Sequence, residues 1–127
     1  MTDQTPSPDE ILSLASQLAD VAAEQTLKWF RAPALLTHNK LSEGFDPVTE
    51  ADKAAEAAMR ALLKAQRPKD AVIGEESHNT MCTSGLSLVL YPIDGTRGYV
   101  SGTPTWCTLI ALNDWLAPIF GLIDQPH

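Results

Sequence analysis

Two stretches of this sequence carry side chains that could do chemistry together. One is the acidic loop Gly74-Glu75-Glu76-Ser77. The other is Tyr91-Pro92-Ile93-Asp94-Gly95-Thr96-Arg97-Gly98-Tyr99-Val100-Ser101-Gly102, which follows the apolar run Leu86 to Leu90. A strand that ends in a carboxylate and then turns through Gly-Thr can hold a hard cation beside backbone N–H groups able to receive a phosphate. On that reading Asp94 faces the cation, and the N–H groups of Gly95 and Thr96 face phosphate oxygens. Two adjacent acids in a strand-end loop can place one carboxylate on a metal while the other orients a ligand or water. Tyr91 is the discordant residue, because such a site wants a further carboxylate at that position.

Each of these residues also has a plainer reading. Asp-Gly is a strong hairpin signal, but Pro92 cannot donate in a central strand and the residues after Thr96 do not alternate. Glu75-Glu76 reads equally as a solvated acidic loop after a strand. Asp52 fits a capping box begun by Thr49, and Asp46 shapes a turn before Pro47.

The elements around these residues follow from periodicity. Residues 1–6 are a polar tail. Ser7-Pro8-Asp9-Glu10 predicts a capped helix start. Ile11, Leu14, Leu18, Val21, Ala22 and Trp29 carry the helical stripe to about Phe30, and Pro33 stops it. Residues 34–46, with Leu35, Leu36, Asn39, Ser42 and Gly44, predict a short strand or turn and then a mobile loop. A second helix runs from Thr49 to Pro68 on Ala55, Ala58, Met59, Leu62 and Leu63, with Glu56 four residues before Arg60 in support. Ala71-Val72-Ile73 is a short strand, residues 77–85 a loop, and Leu86 to Leu90 a buried strand. One helical turn reaches Gly102. Thr105 to Leu112 and Ala117 to Ile123 are strands joined at Asn113-Asp114. The order is that of a layered α/β or α+β domain. The last two runs are apolar on both faces, as in a covered sheet. Nothing after Asp124-Gln125-Pro126-His127 covers them, so the expectation is the front part of a larger fold that aggregates when expressed alone.

Composition narrows the partners. A chain of 127 residues has room for one domain with a modest core, and 44% hydrophobic with 20% charged residues is ordinary for a soluble globular protein. A net charge of −7 argues against nucleic acid and anionic membrane surfaces and suits a site that collects carboxylates for cations. No apolar run reaches transmembrane length and Met1-Thr2-Asp3-Gln4 lacks a signal peptide's basic start, which makes the cytoplasm the expected location. Cys82 and Cys107 read as free thiols. His38, His78 and His127 show no zinc-type spacing with them.

Phe45-Asp46-Pro47-Val48-Thr49-Glu50-Ala51-Asp52, then Ile73-Gly74-Glu75-Glu76-Ser77, then Pro92-Ile93-Asp94-Gly95-Thr96 occur in one order and spacing. The chain thereby resembles the inositol monophosphatase family of magnesium-dependent, lithium-sensitive phosphatases, over nearly its whole length. Within it the chain is most similar to the histidinol-phosphatase branch, through the first of those segments together with Arg97, Ser101-Gly102, Trp106 and Gly121-Leu122-Ile123-Asp124-Gln125-Pro126. The resemblance implies an α+β fold, the N-terminal part of an αβαβα sandwich, with the C-terminal half absent. It implies Mg²⁺ as cofactor, a small phosphorylated substrate and, since the family often dimerises, a homodimer. Residue by residue it implies Glu75 as one magnesium ligand, Asp94 on a second magnesium and the Ile93 carbonyl completing the first site. Gly95 and Thr96 would hold phosphate, and the Thr96 hydroxyl with Asp52 would orient and deprotonate the attacking water, with no covalent intermediate.

The sequence departs from the family in two ways. Tyr91 stands where the family motif has an Asp that bridges two metals; a phenol is neutral near pH 7, bulkier and one oxygen short. The family's C-terminal half, which supplies another metal-binding Asp, is not represented. Three functions therefore stand side by side. The first is a Mg²⁺-dependent phosphatase of histidinol phosphate, in histidine biosynthesis. The second is an inositol-phosphate or related sugar-phosphate phosphatase, against which Arg97 argues. The third is an inactive fragment or pseudo-enzyme.

Overall fold

In the computed structural model, residues 6–31, 47–75, 79–80, 83–114 and 116–127 are described below. Helix α1 spans Pro8–Trp29. Its start is the expected capping box: Glu10 N–H donates to Ser7 Oγ (3.2 Å) and Ser7 N–H donates to Glu10 Oε1 (2.7 Å), with Pro8 in the first position. Hydrogen bonds from Ser7, first its backbone N–H and then its side chain, hold the Glu10 carboxyl below its ordinary range. Helix α2 spans Pro47–Gln66, so Thr49 lies inside its first turn rather than capping it, and Asp52 is an interior helix residue. The loop expected over 34–46, and with it Asp46, lies outside the described residues.

The strands are β1 (Ala71–Ile73), β2 (Ser87–Asp94), β3 (Cys107–Asn113) and β4 (Pro118–Asp124), with a short helix α3 (Thr96–Ser101) between β2 and β3. They form one sheet in the order β1-β2-β3-β4, parallel between β1 and β2 and antiparallel thereafter. The β3–β4 turn is closed by Asp114, whose Oδ1 accepts from Leu116 N–H (2.8 Å) and Ala117 N–H (2.9 Å).

Strand β2 runs four residues beyond the expected Leu90, to Asp94. Its pairing with β3 is regular from Ser87↔Asn113 to Tyr91↔Leu109 and resumes at Asp94↔Cys107, so β2 carries one extra residue in between. That is a β-bulge. Pro92 sits inside it, where a missing N–H breaks no ladder bond. Its carbonyl is used instead, accepting from the buried Thr108 hydroxyl at 2.8 Å.

Helices α1 and α2 cover one face of the sheet. Leu14, Leu18 and Ala22 of α1 and Ala55, Met59 and Leu63 of α2 meet Leu88, Leu90, Ile110 and Leu112 in one core. A buried aliphatic side chain of this size contributes about 1.5–3 kcal/mol. The opposite face is apolar, and no described helix lies over it. Its rows are Ile73–Val89–Ala111–Gly121 and Tyr91–Leu109–Ile123, and Tyr91 is 42% and Ile123 76% exposed. Strand β3 is accordingly buried at alternate residues only. Among the described residues no helix is long and apolar enough to cross a membrane.

The two faces predict opposite responses. Leu90→Ala should lower unfolding stability by about 2–5 kcal/mol. Ile123→Lys should leave it within about 0.5 kcal/mol and reduce light scattering from self-association. An unfolded Ile123→Lys protein would mean that the described chain itself covers that face.

Candidate active site at the strand ends

Strands β1 and β2 are parallel, so their carboxyl ends point the same way; Ile73 ends β1 level with Val89, and β2 continues to Asp94. Ligands of open α/β sheets bind at such ends. Glu75 follows β1 by two residues and is exposed; Asp94 is the last residue of β2 and is exposed. The bulge decides which way Asp94 points. In an uninterrupted ladder Tyr91↔Leu109 would lead to Asp94 opposite Trp106, on the helix-covered side. The extra residue puts Asp94 opposite Cys107 instead. Asp94 therefore shares the open side of the sheet with Tyr91, and Ile93 turns inward, 4% exposed.

At Gly95 the chain turns with φ 93°, in the left-handed region that favours glycine. A Cβ there would also lie 2.6 Å from the Thr105 carbonyl oxygen. Gly95 is the N-cap of α3 and supplies no side-chain cap, leaving the first-turn N–H groups uncapped by a side chain. Thr96 opens α3 and is exposed.

Asp52 comes to this corner from α2. It is 6% exposed and lies near the Tyr99 phenol, one turn along α3 from Thr96. Tyr99 is buried and its hydroxyl donates to the Thr26 carbonyl at 2.7 Å. Burial first, and the Asp52 charge second, push its ionisation well above the ordinary phenol value. Tyr99, Phe30 and Trp106 stack with Ala51 and Ile93 in a second core cluster, their ring centroids 5.0–5.4 Å apart. On the open side, Cys107 Sγ lies 4.0 Å from Asp94 Oδ2. Burial, and then the Asp94 charge, raise the thiol above its usual value.

The structure thus brings Glu75, Tyr91, Ile93, Asp94, Gly95 and Thr96 to one end of the sheet and sets Asp52 against α3. Glu76 lies outside the described residues. One residue escaped the sequence reading. Glu56, read there only as supporting the helix with Arg60, is fully buried, with Oε1 3.0 Å from the Glu75 N–H that donates to it. The available signal was its position four residues after Asp52, on the same side of α2.

The donor chemistry bears on a metal. Among the described residues no three His, Cys, Asp or Glu side chains gather as a closed cage. Magnesium does not need one, since it binds through one or two carboxylates plus waters and substrate phosphate. Glu75, Asp94 and a strand-end carbonyl fit that requirement. A second ion bridged by residue 91 does not fit, because Tyr91 offers one phenolic oxygen in place of a carboxylate.

Tyr99→Phe should cost about 1 kcal/mol, a fall of roughly 2–6 °C in Tm, since the Thr26 carbonyl keeps the Phe30 N–H at 3.1 Å. The raised phenol also has a pH signature. Its stabilisation is complete below the unfolded phenol value near 10 and is lost as pH rises through the higher folded value. Tyr99→Phe, with no phenol proton to lose, should therefore lose less of its stability above about pH 10 than the parent protein, and an absorbance titration should show Tyr99 ionising only with unfolding.

Comparison with known proteins identifies the architecture. The inositol monophosphatase family profile matches residues 7–127. A histidinol-phosphatase of Streptomyces coelicolor is 43% identical over 119 residues, covering 91% of this chain and 44% of that protein. One from Mycobacterium tuberculosis is 40% identical over 115 residues, with the same coverage of 91% and 44%. The structure of an inositol monophosphatase from Zymomonas mobilis superimposes with a TM-score of 0.78 at 41% identity, over 96% of this chain and 46% of that one. The chain spans less than half the length of these relatives. It belongs to the inositol monophosphatase family.

Proposed function

We propose that this chain carries the metal- and phosphate-binding corner of a magnesium-dependent phosphate monoesterase whose substrate is histidinol phosphate. The observation that carries this reading is the placement of two exposed carboxylates, Glu75 and Asp94, on neighbouring parallel strand ends beside the left-handed Gly95 turn. The two relatives named histidinol-phosphatase support the substrate. The net charge of −7 suits a small substrate that arrives with a cation better than it suits nucleic acid.

Glu75, Asp94 and the Ile93 carbonyl are the residues that would hold magnesium. When bound, the ion neutralises phosphate charge and stabilises the leaving oxygen. The N–H groups of Gly95 and Thr96 bind phosphate oxygens at the start of α3. The Thr96 hydroxyl orients a water for in-line attack, and the Asp52 carboxylate accepts its proton. Water attacks phosphorus directly, so no residue is phosphorylated. The buried setting of Asp52 holds it in place for this task.

Tyr91 favours a second reading, an inactive member of the family. Its phenol lies on the same side of the sheet as Asp94, where it can neither bridge two ions nor add negative charge.

Phosphate release from histidinol phosphate, with and without Mg²⁺, tests both. The phosphatase reading expects Mg²⁺-dependent turnover that exceeds turnover of inositol 1-phosphate. Asp94→Asn should lower it at least 100-fold, on the order of 3 kcal/mol in transition-state stabilisation. Tyr91→Asp should raise turnover at least tenfold. Folded protein that is inactive as Tyr91 and active as Tyr91→Asp establishes the inactive reading; activity indifferent to Asp94 overturns the site.

A further inference from the structure

Glu56 is a carboxylate with no exposed surface, held from two directions. Arg60 Nε lies 2.9 Å from its Oε2, one helical turn along α2. The backbone N–H of Glu75 donates to its Oε1 at 3.0 Å, across 19 positions of sequence. Between these contacts the carboxylate lies against the backbone of Gly74. A Cβ at Gly74 would stand 2.5 Å from Glu56 Cδ and 2.5 and 2.6 Å from its two oxygens. That is closer than real Cβ contacts come, and the carboxylate is already fixed by Arg60. Gly74 is therefore demanded by space, and what fills the space is the Glu56 carboxyl group that Arg60 contacts. The Gly74 N–H makes a longer bond, 3.4 Å, to Asn79 Oδ1.

We propose that Glu56 is a positioning residue for the cation site: its buried carboxylate grips the Glu75 main chain through the Gly74 gap and sets where the Glu75 side chain presents its oxygens. The inference rests on the reading of Glu75 as a metal ligand. A charged acceptor makes a hydrogen bond about twice as strong as a neutral one, and a backbone held at its own N–H leaves the side chain few ways to turn. The same helix then serves two roles, since Asp52 and Glu56 are four residues apart and share a side of α2. One rod fixes both the proposed proton acceptor and the loop that carries the cation ligand. Residues that orient metal ligands typically alter metal affinity by 10–100-fold when replaced.

The test uses Glu56→Gln, Gly74→Ala and Glu75→Ala with two readouts: hydrogen exchange of the Glu75 amide in metal-free protein, and Mn²⁺ affinity by electron paramagnetic resonance. Glu56→Gln keeps the shape and removes the charge. Gly74→Ala removes no core contact and drives a methyl into the carboxylate. Both should speed exchange of the Glu75 amide about tenfold and weaken Mn²⁺ about 10–100-fold, while amides of β2 and β3 exchange as before. Glu75→Ala should weaken Mn²⁺ at least as much. If Glu75→Ala weakens Mn²⁺ and the other two leave exchange and affinity unchanged, Glu56 does not position the ligand and the inference is overturned, with the functional reading intact. If Glu75→Ala leaves Mn²⁺ binding untouched, the functional reading of Glu75 fails; unchanged Glu75 amide exchange in Glu56→Gln and Gly74→Ala would then overturn the anchor as well.

Discussion

The corner where catalysis is proposed depends on one packing cluster. Phe30, Ala51, Ile93, Tyr99 and Trp106 come from the end of α1, the body of α2, the end of β2, α3 and the approach to β3. Ala51 precedes Asp52, Ile93 precedes Asp94, and Trp106 precedes Cys107. Tyr99 lies one turn after Thr96. Apart from Phe30, each buried member is thus the neighbour, in chain or in helix, of a residue at this corner. Aromatic pairs in tilted and edge-on contact favour particular ring angles as well as burial, and the Tyr99 hydroxyl adds a directional bond to α1. Glu75, Asp94 and Thr96 are exposed, and their places are set by what is packed behind them.

Electrostatics works on that frame in a consistent direction. Asp52, Glu75 and Asp94 collect negative charge at one end of a chain that is already acidic overall. Where a carboxylate does have a fixed basic partner, as in Glu56–Arg60 or the bidentate Arg67–Asp70 pair at 2.7 and 3.1 Å, its work is structural. The latter pair, joined by Ser84 Oγ at 2.7 Å, ties the α2–β1 turn and so fixes the strand that leads to Glu75.

Local chemistry was legible in the sequence and nonlocal geometry was not. Ser7-Pro8-Asp9-Glu10 names its own hydrogen bonds, and the structure makes them. Three motifs in fixed order named the family. The apolar faces of the last two strands announced the open side of the sheet. The start of α2 was misjudged because Thr49 and Asp52 imitate a capping box, while Pro47 already begins the helix. The end of β2 was misjudged because Pro92 argues against a strand unless a bulge removes its obligation to donate. Glu56 was hidden by its helix partner: a Glu four residues before an Arg looks the same on a surface and in a core, and only the tertiary contact with Gly74 and Glu75 separates the two.

The bulge also explains why Tyr91 matters to the site at all. Side chains alternate along a strand, so residues 91 and 94, three apart, should face opposite ways. The extra residue between Tyr91 and Asp94 cancels that opposition and brings both to the open side. The same shift turns Ile93 into the aromatic cluster, so the packing that seats the corner and the orientation of its carboxylate come from a single irregularity. On that side Asp94 stands at the rim of an uncovered apolar surface formed by Leu109 and Ile123, in contact with water. Two unit charges 4 Å apart interact by about 1 kcal/mol in water and about 4 kcal/mol at the lower effective dielectric near a protein surface. Attraction between Asp94 and a cation is therefore weakest while the face is bare and grows with any cover laid over it. Tyr91, with its ring on this surface, sits at the boundary between the apolar face and the acidic corner.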